Sequence, residues 1–359
     1  MNVLMITRKI DRDDWLAGHS YEWAKKLVAN LSATDGQLFV LCLQKGNIEG
    51  LGAEVVSLGK EAGASRFRRF WRFQKQALRL YRRVDAVFCH QNPEYTIAIW
   101  PYCFIFRKRL VSWYAHKAVT WKTRLMVWCS SAVLTPSIES LRLPSPKIRI
   151  VGHGIDTARF KKSTDAVGVV SEGAAYTIVT VGRISPVKKI SDLVTAMDIL
   201  VRERKLANMH ATIIGSPALP ADIEYAEYLK RKIHSKEMDQ AVRILPAVSH
   251  QEIPRIYQRA DLFVSLSQTG SLDKAVLEAM ACECPIITSN ESFTSLLQPF
   301  ADLCLVKPHE PAELASKIEA MMKLNLSDRR ALGANLRQLV VEKHDLTQLV
   351  EQISKSLSG

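Results

Sequence analysis

The 359-residue sequence lacks the cysteine pairs that build zinc ribbons or stapled secreted scaffolds. Its seven cysteines (Cys42, Cys89, Cys103, Cys129, Cys282, Cys284 and Cys304) are odd in number, scattered and contain no C-x-x-C. That distribution fits a reduced compartment and sets the expectation of a cytoplasmic protein. No apolar run is long enough to span a bilayer. The longest, Tyr95 to Phe106, is broken by Pro101 and falls well short of the roughly 20 residues a spanning helix needs. The opening run Met1–Thr7 has no basic lead and no small-residue cleavage site, so it reads as a first strand and not as a signal peptide. G-x-G-x-x-G is also missing after that run, which leaves a nicotinamide-binding fingerprint unsupported. Repeats and low-complexity tracts are absent, and no nucleic-acid-binding motif accompanies the positive charge, so nucleic acid is not an expected partner.

What is present is a hydrophobic fraction of 47%, enough for two cored domains, and a net charge of +13 that is unevenly placed. Between Ser65 and Val84 lie Arg66, Arg68, Arg69, Arg72, Lys75, Arg79, Arg82 and Arg83, with no acidic residue. Phe67, Phe70, Trp71, Gln74, Leu78 and Tyr81 recur among them at three- and four-residue steps. Such a basic amphipathic helix is either a membrane-surface element or an ordinary domain helix whose apolar stripe is core and whose charges are solvated.

Short apolar runs alternate with helical blocks along the chain. Val3–Thr7, Gln37–Cys42, Val55–Leu58, Ala86–His90, Leu110–Tyr114, Ala132–Thr135 and Ile148–Val151 form a first series of expected strands. Tyr176–Val181, His210–Gly215, Ala241–Leu245, Leu262–Leu266, Pro285–Thr288 and Leu303–Val306 form a second. Between them, Lys161 to Ala175 is polar or small and suits a linker. The expectation is an α/β protein of two tandem Rossmann-like doubly wound domains, 1–165 and 166–340, facing each other across a cleft. A C-terminal helix, 341–359, would pack back on the first domain.

Four blocks are candidates for chemistry. The loop from Thr7 to Ser20 carries Gly18 just before a helix, which on its own reads as a plain turn glycine. Val151–Asp156 (VGHGID) holds two glycines around His153, a residue that on its own reads as structural. Val181–Lys189 (VGRISPVKK) follows a strand and precedes a helix, so Arg183 and Lys188 could flank a diphosphate, or be a solvated basic loop. Gly270–Glu278 (GSLDKAVLE) joins a strand to a helix N-terminus. Free N–H groups there hold anions, and Glu278 one to two turns on suits sugar hydroxyls.

Taken in order, Gly18, His116, GHGID at 152–156, GRISPVKK at 182–189, ADLFVSLS at 260–267 and LEAMACECPIITS at 277–289 strongly resemble retaining glycosyltransferases of family 4, of the bacterial surface-polysaccharide type. The resemblance implies the GT-B fold of two Rossmann domains and transfer of a sugar from a nucleotide diphosphate, of UDP or GDP type, to an acceptor hydroxyl. The acceptor implied is a lipid-linked saccharide in cell-surface polysaccharide or lipopolysaccharide synthesis, met at the inner face of the cell membrane. By the same resemblance Arg183 and Lys188 would hold the donor diphosphate, Glu278 the ribose, and the loop of Ser271, Leu272, Asp273 and Lys274 the phosphates and donor sugar. The turn ending at Val248 would contact the base. His116 would lie near the donor sugar, and Gly18 would let its loop approach the phosphates.

One position departs from the family pattern. The first of two glutamates eight positions apart is replaced by Gly270, and Asp273 is the candidate substitute for the sugar contact, with helix capping as its other role. No metal or other cofactor is expected. Asp11-Arg12-Asp13 resembles a metal-binding D-x-D but follows the first strand, where it reads as a turn. A nucleotide-sugar epimerase of the same fold and a non-catalytic membrane-surface adaptor are the competing readings.

Overall fold

The β-branched and aliphatic runs form two separate parallel sheets in the computed structural model, which describes residues 1–15, 17–163, 175–268 and 270–359. In chain order the first part holds β1 (Val3–Ile10), α1 (Gly18–Ser32), β2 (Leu38–Lys45), β3 (Glu54–Ser57), α2 (Arg66–Leu80) and β4 (Ala86–His90). It continues with α3 (Pro93–Ile105), β5 (Arg109–Trp113), α4 (Trp121–Cys129), β6 (Ala132–Thr135) and β7 (Ile148–Ile150). The second part holds β8 (Tyr176–Val181), α5 (Ile190–Asp198), β9 (Met209–Ile214), α6 (Pro220–Ser235) and β10 (Val242–Leu245). α7 (Ile253–Arg259), β11 (Leu262–Ser265), α8 (Lys274–Ala281), β12 (Ile286–Thr288), α9 (Ala301–Cys304), α10 (Pro311–Lys323), α11 (Leu326–His344) and α12 (Leu346–Ser358) follow.

The first sheet runs β3-β2-β1-β4-β5-β6-β7 and the second β10-β9-β8-β11-β12, all pairs parallel. Parallel strands need helical crossovers, which bury both faces and explain why strands such as β4 and β11 are apolar throughout. In each sheet the order reverses once, beside β1 and β4 in the first and beside β8 and β11 in the second. Loops leave the carboxyl ends of those strands in opposite directions, and ligands of doubly wound folds bind there.

The chain divides into two units, 1–156 with 249–251 and 344–359, and 157–248 with 252–343. The expected boundary at 165 lies outside the described residues, as does most of the expected linker 161–175. Thr157 already belongs to the second unit because Arg337 on α11 donates to Thr157 O at 3.0 Å and to Phe160 O at 2.8 Å, while Phe160 is buried near Tyr257.

The last helix, α12, is part of the first unit. Leu346, Leu349, Val350, Ile353 and Leu357 join Trp23, Leu27 and Leu31 of α1 in the core that covers one face of the first sheet. Ile155 N to His344 O (2.7 Å) and Leu346 N to Ile155 O (2.8 Å) fix its start. Arg109 Nε to Ser356 O (2.6 Å) ties its end to β5. α2 and α3 cover the opposite face, through Phe73, Ala77, Leu80, Tyr95, Ile99 and Cys103. All seven cysteines are free and buried, and burial pushes the Cys42, Cys103 and Cys304 thiols up to about 12.

One expectation is corrected and one open alternative is decided. Leu303–Val306 is not a strand: Ala301–Cys304 closes a helical turn, and only Leu305 makes an isolated bridge to Thr288. Of the two readings left open for the basic helix, the one that places its apolar stripe in the core is not met. Phe67, Phe70, Trp71 and Leu78 are exposed, and α2 instead packs through a narrower face of Phe73, Ala77 and Leu80.

Because Leu349 is fully enclosed in the α1–α12 core, Leu349→Ala should destabilise the first unit by about 2–5 kcal/mol. Urea denaturation followed by circular dichroism measures this, and an unchanged midpoint would show that α12 does not pack as described.

Candidate functional site

In the second unit the order reversal brings two loops together at the carboxyl ends of β8 and β11. The loop after β8 turns tightly over the end of β9. Gly182 N donates to Ile214 O at 3.0 Å, and a Cβ at Gly215 would stand 1.8 Å from Gly182 O, so only glycine fits there. Gly182 itself has φ 138°. The chain then passes Arg183 and makes a single 3-10 turn, Pro186–Lys188. Lys189 in the left-handed region (φ 48°) starts α5.

The loop after β11 ends at the N-terminus of α8. Gly270 takes φ 65°, Asn290 Nδ2 donates to Ser271 O at 2.8 Å, and Asp273 caps the helix by accepting from Ala275 N at 3.3 Å. Asp273 therefore does serve as a cap. It also does something the sequence did not reveal: its Oδ2 accepts from Lys188 Nζ at 2.7 Å and from Ser265 Oγ, at the end of β11, at 3.0 Å. One buried carboxylate thus joins both loops. Burial disfavours its charged form, but the Lys188 ammonium and the bonds from Lys188, Ser265 and Ala275 outweigh that and hold its pKa below the usual value.

Arg183 is placed by a second buried carboxylate, with Nε 3.6 Å from Asp222 Oδ2. Asp222 is fixed in turn at the start of α6, accepting from Ala218 N (3.2 Å) and Leu219 N (3.1 Å). Gly182, Arg183, Lys188, Ser265 and Leu266 line one small pocket. Glu278 is buried in the second turn of α8, and Lys274 Nζ lies 3.4 Å from its Oε1. The pocket therefore presents two cations, one of which, Lys188, is paired to the residue that caps α8, an arrangement suited to an anion.

The structure thus gathers Arg183, Lys188, Ser271, Leu272, Asp273, Lys274 and Glu278 on two neighbouring loops and one helix of the second unit. Leu272 is itself buried, so what it can offer a ligand is backbone. Val248 follows β10, the outermost strand on the far side of β9. Thr269 lies outside the described residues.

Gly18 and His116 belong to the first unit. Gly18 opens α1 with no room for a side chain, since a Cβ would stand 2.8 Å from His250 Cβ. His116 is exposed on the loop after β5, where its Nδ1 accepts from Ala118 N at 3.3 Å. Asp11 pairs with Lys9 at 3.0 Å, and Asp13 accepts from Asn47 Nδ2 at 2.6 Å, so the D-x-D carboxylates are engaged in loop contacts. Among the described residues no group of three His, Cys, Asp or Glu side chains is placed to hold a metal ion.

Three features escaped the sequence. Asp222 and Ser265 act through chain segments far apart, although Pro220-Ala221-Asp222 at a helix start is a capping signal for the former. The third lies where the first sheet's order reverses: Thr7 Oγ1 and His90 Nδ1 are 3.1 Å apart. The buried His90 ring packs 4.9 Å from Trp23 and 5.5 Å from Trp113, and His153 lies 5.6 Å beyond Trp113.

The depressed pKa of Asp273 has a sign that can be tested. Its contribution to stability is present above the unfolded value of 3.8 and is lost as pH falls through the lower folded value. Asp273→Asn should therefore unfold at lower urea than the parent at pH 7, with the gap closing as pH falls below 3.8. A gap that stays constant over that range would contradict the ion pair.

Comparison with known proteins places these features in context. Residues 169–339 match the sequence model of the family described as Glycosyl transferases group 1. The D-inositol 3-phosphate glycosyltransferase of Kineococcus radiotolerans is 26% identical over 205 residues, which cover 52% of this chain and 46% of that protein. The mannosylfructose-phosphate synthase of Agrobacterium fabrum is 24% identical over 191 residues, covering 52% of this chain and 41% of that protein. The chain thus spans less than half the length of these curated relatives. Among solved structures, HepE of Anabaena in complex with UDP and glucose superposes with a TM-score of 0.77 at 17% identity, with 100% of both chains covered. That likeness establishes the fold: two Rossmann-like α/β domains of the GT-B type.

Proposed function

We propose that the chain is a retaining glycosyltransferase that moves a sugar from a nucleotide diphosphate to an acceptor hydroxyl. The observation that carries this reading is that Arg183 and Lys188 line one pocket at the order reversal of the second sheet, with Lys188 paired to the residue that caps α8, within the segment that matches the glycosyltransferase family. The solved structures of HepE with UDP and with UDP-glucose support a donor of UDP type, with GDP as the alternative base.

The donor diphosphate would lie between Lys188 and the α8 N-terminus. A lysine ammonium has three donors, so Lys188 can keep Asp273 and still meet a phosphate oxygen. Arg183, held by Asp222, would face the same diphosphate. Glu278 would accept from ribose hydroxyls, and backbone N–H groups of 271–274 would meet phosphate and donor sugar. With Gly270 at the family's first-glutamate position, Asp273 would receive a sugar hydroxyl on the carboxylate oxygen that caps α8.

The Asp273 Oδ2 is committed to Lys188 and Ser265, which does not favour a covalent glycosyl intermediate on it. Front-face attack fits better. The acceptor oxygen bonds to the anomeric carbon on the side from which the phosphate leaves, the carbon–oxygen bond to the phosphate breaks, and the hydroxyl proton passes to the departing phosphate oxygen. The chain's contribution is positioning and stabilisation of the charge growing on the diphosphate, by Arg183, Lys188 and the helix N-terminus. No step in this scheme requires a metal.

For the acceptor we favour a lipid-linked saccharide of surface-polysaccharide or lipopolysaccharide synthesis, reached at the cytoplasmic face of an anionic membrane through the Arg66–Arg83 helix. Among the described residues no helix is long and apolar enough to cross a membrane.

Lys188→Ala and Arg183→Ala should each lower kcat by about 10²–10³ while the protein remains folded. Purified enzyme assayed with a UDP-sugar, acceptor and chelator tests this, with product anomer read by NMR. Near parental rates in either variant, an inverted anomer, or product that forms only with added metal would overturn the corresponding part of the reading. Turnover of the nucleotide sugar to its epimer without acceptor would favour the epimerase.

A further inference from the structure

Apart from Ile138 and Ile150, the large apolar side chains that the first unit leaves exposed belong to one layer of helices. α1 and α12 cover one face and contribute none of the large exposed apolar residues. The layer of α2, α3 and α4 contributes Phe67 (71% exposed), Phe70, Trp71 (57%) and Leu78, then Phe104 (70%) and Ile105, then Trp121 (69%) and Trp128 (61%). These helices form a continuous layer. Tyr81, just after α2, stacks on Phe106, just after α3, with ring centroids 3.8 Å apart, and Trp100 of α3 lies 4.9 Å from Trp128 of α4.

The same segment carries almost all of the chain's net charge. Residues 66–131 hold 14 Lys and Arg against Asp85 and Glu94 alone, a net +12 of the total +13. Arg66, Arg68, Lys75, Arg82, Arg107 and Arg124 are exposed among the aromatic rings. A second copy of the chain would bring two such faces together against strong like-charge repulsion. A nucleic acid would be met by charge and ring stacking, which leaves the outward aliphatic Leu78 and Ile105 unexplained. A bilayer of anionic lipid satisfies both features: headgroup phosphates pair with the basic side chains while Trp, Phe and aliphatic tips enter the acyl boundary.

We propose that the combined α2–α3–α4 face, and not α2 alone, is a docking surface for an anionic lipid bilayer. The inference deepens the lipid-linked acceptor reading and rests on it for its purpose, although docking itself needs neither donor nor acceptor.

The full chain is sedimented with vesicles of phosphatidylglycerol and phosphatidylcholine, and with phosphatidylcholine alone, at two salt concentrations. The proposal expects sedimentation with the anionic vesicles only, release by salt, and a blue shift of tryptophan fluorescence on binding. Trp71→Ser on α2 and Phe104→Ser/Trp128→Ser on α3 and α4 should each weaken binding about tenfold, with unchanged circular dichroism. All these side chains are exposed, and the fluorescence shift of the unaltered chain is a readout that needs no variant. Absence of anionic-vesicle binding would overturn the proposal, and so would full binding by the folded α3–α4 double variant. A concentration-dependent dimer that these variants dissolve, with no vesicle binding, would assign the face to a second copy instead. Vesicle binding by a chain that no nucleotide sugar stabilises would sink the transferase reading and leave this one standing.

Discussion

A single buried carboxylate sets the geometry of the second unit's site. Asp273 caps α8, accepts from Ser265 at the end of β11 and pairs with Lys188 on the loop after β8. A carboxylate in that position would be costly to ionise without partners, and here three of them favour the charged form. The consequence is mechanical as well as electrostatic. Two loops from adjacent strands are tied together, so that the lysine lining the pocket is fixed to the residue that caps α8. Asp222 does the same for Arg183 one strand further on. Both basic groups are therefore oriented by protein before any ligand arrives, which is the condition under which fixed charges stabilise a transition state without further reorganisation.

Most of the fold could be read from the sequence because parallel strands are buried on both faces and so appear as unbroken β-branched runs. β1, β4, β6, β8 and β11 fall on such runs. Leu303–Val306 did not follow that pattern. A run of four apolar or small residues is too short to separate a strand from a helical turn, and here the chain needed a turn before it could reach α10. The α2 stripe shows a second limit. Periodicity finds the apolar faces of a helix, but which of two faces meets the sheet is decided by packing, and here Phe73, Ala77 and Leu80 meet the first sheet's core while Phe67, Phe70 and Trp71 stay exposed.

The site was legible in part for the same reasons. Glycine loops between a strand and a helix mark where ligands bind in doubly wound folds, which singled out 182–189 and 270–278. The partners that position those residues could not be read. Asp222 and Ser265 are ordinary polar residues until the fold brings them to Arg183 and to Asp273. The cluster of Thr7, Trp23, His90, Trp113 and His153 at the first sheet's order reversal likewise comes from five separated segments. Its buried histidine at the carboxyl end of β4 occupies, in the first unit, the topological place that the Lys188–Asp273 pair occupies in the second.

The most direct test of the account is a crystal structure of the chain with a nucleoside diphosphate. The account predicts the diphosphate between Lys188 Nζ and the backbone N–H groups that open α8, with Asp273 still bonded to Lys188 and a ribose hydroxyl on Glu278. A diphosphate bound elsewhere, or a Lys188 turned away from it, would contradict the assignment of this pocket as the donor site.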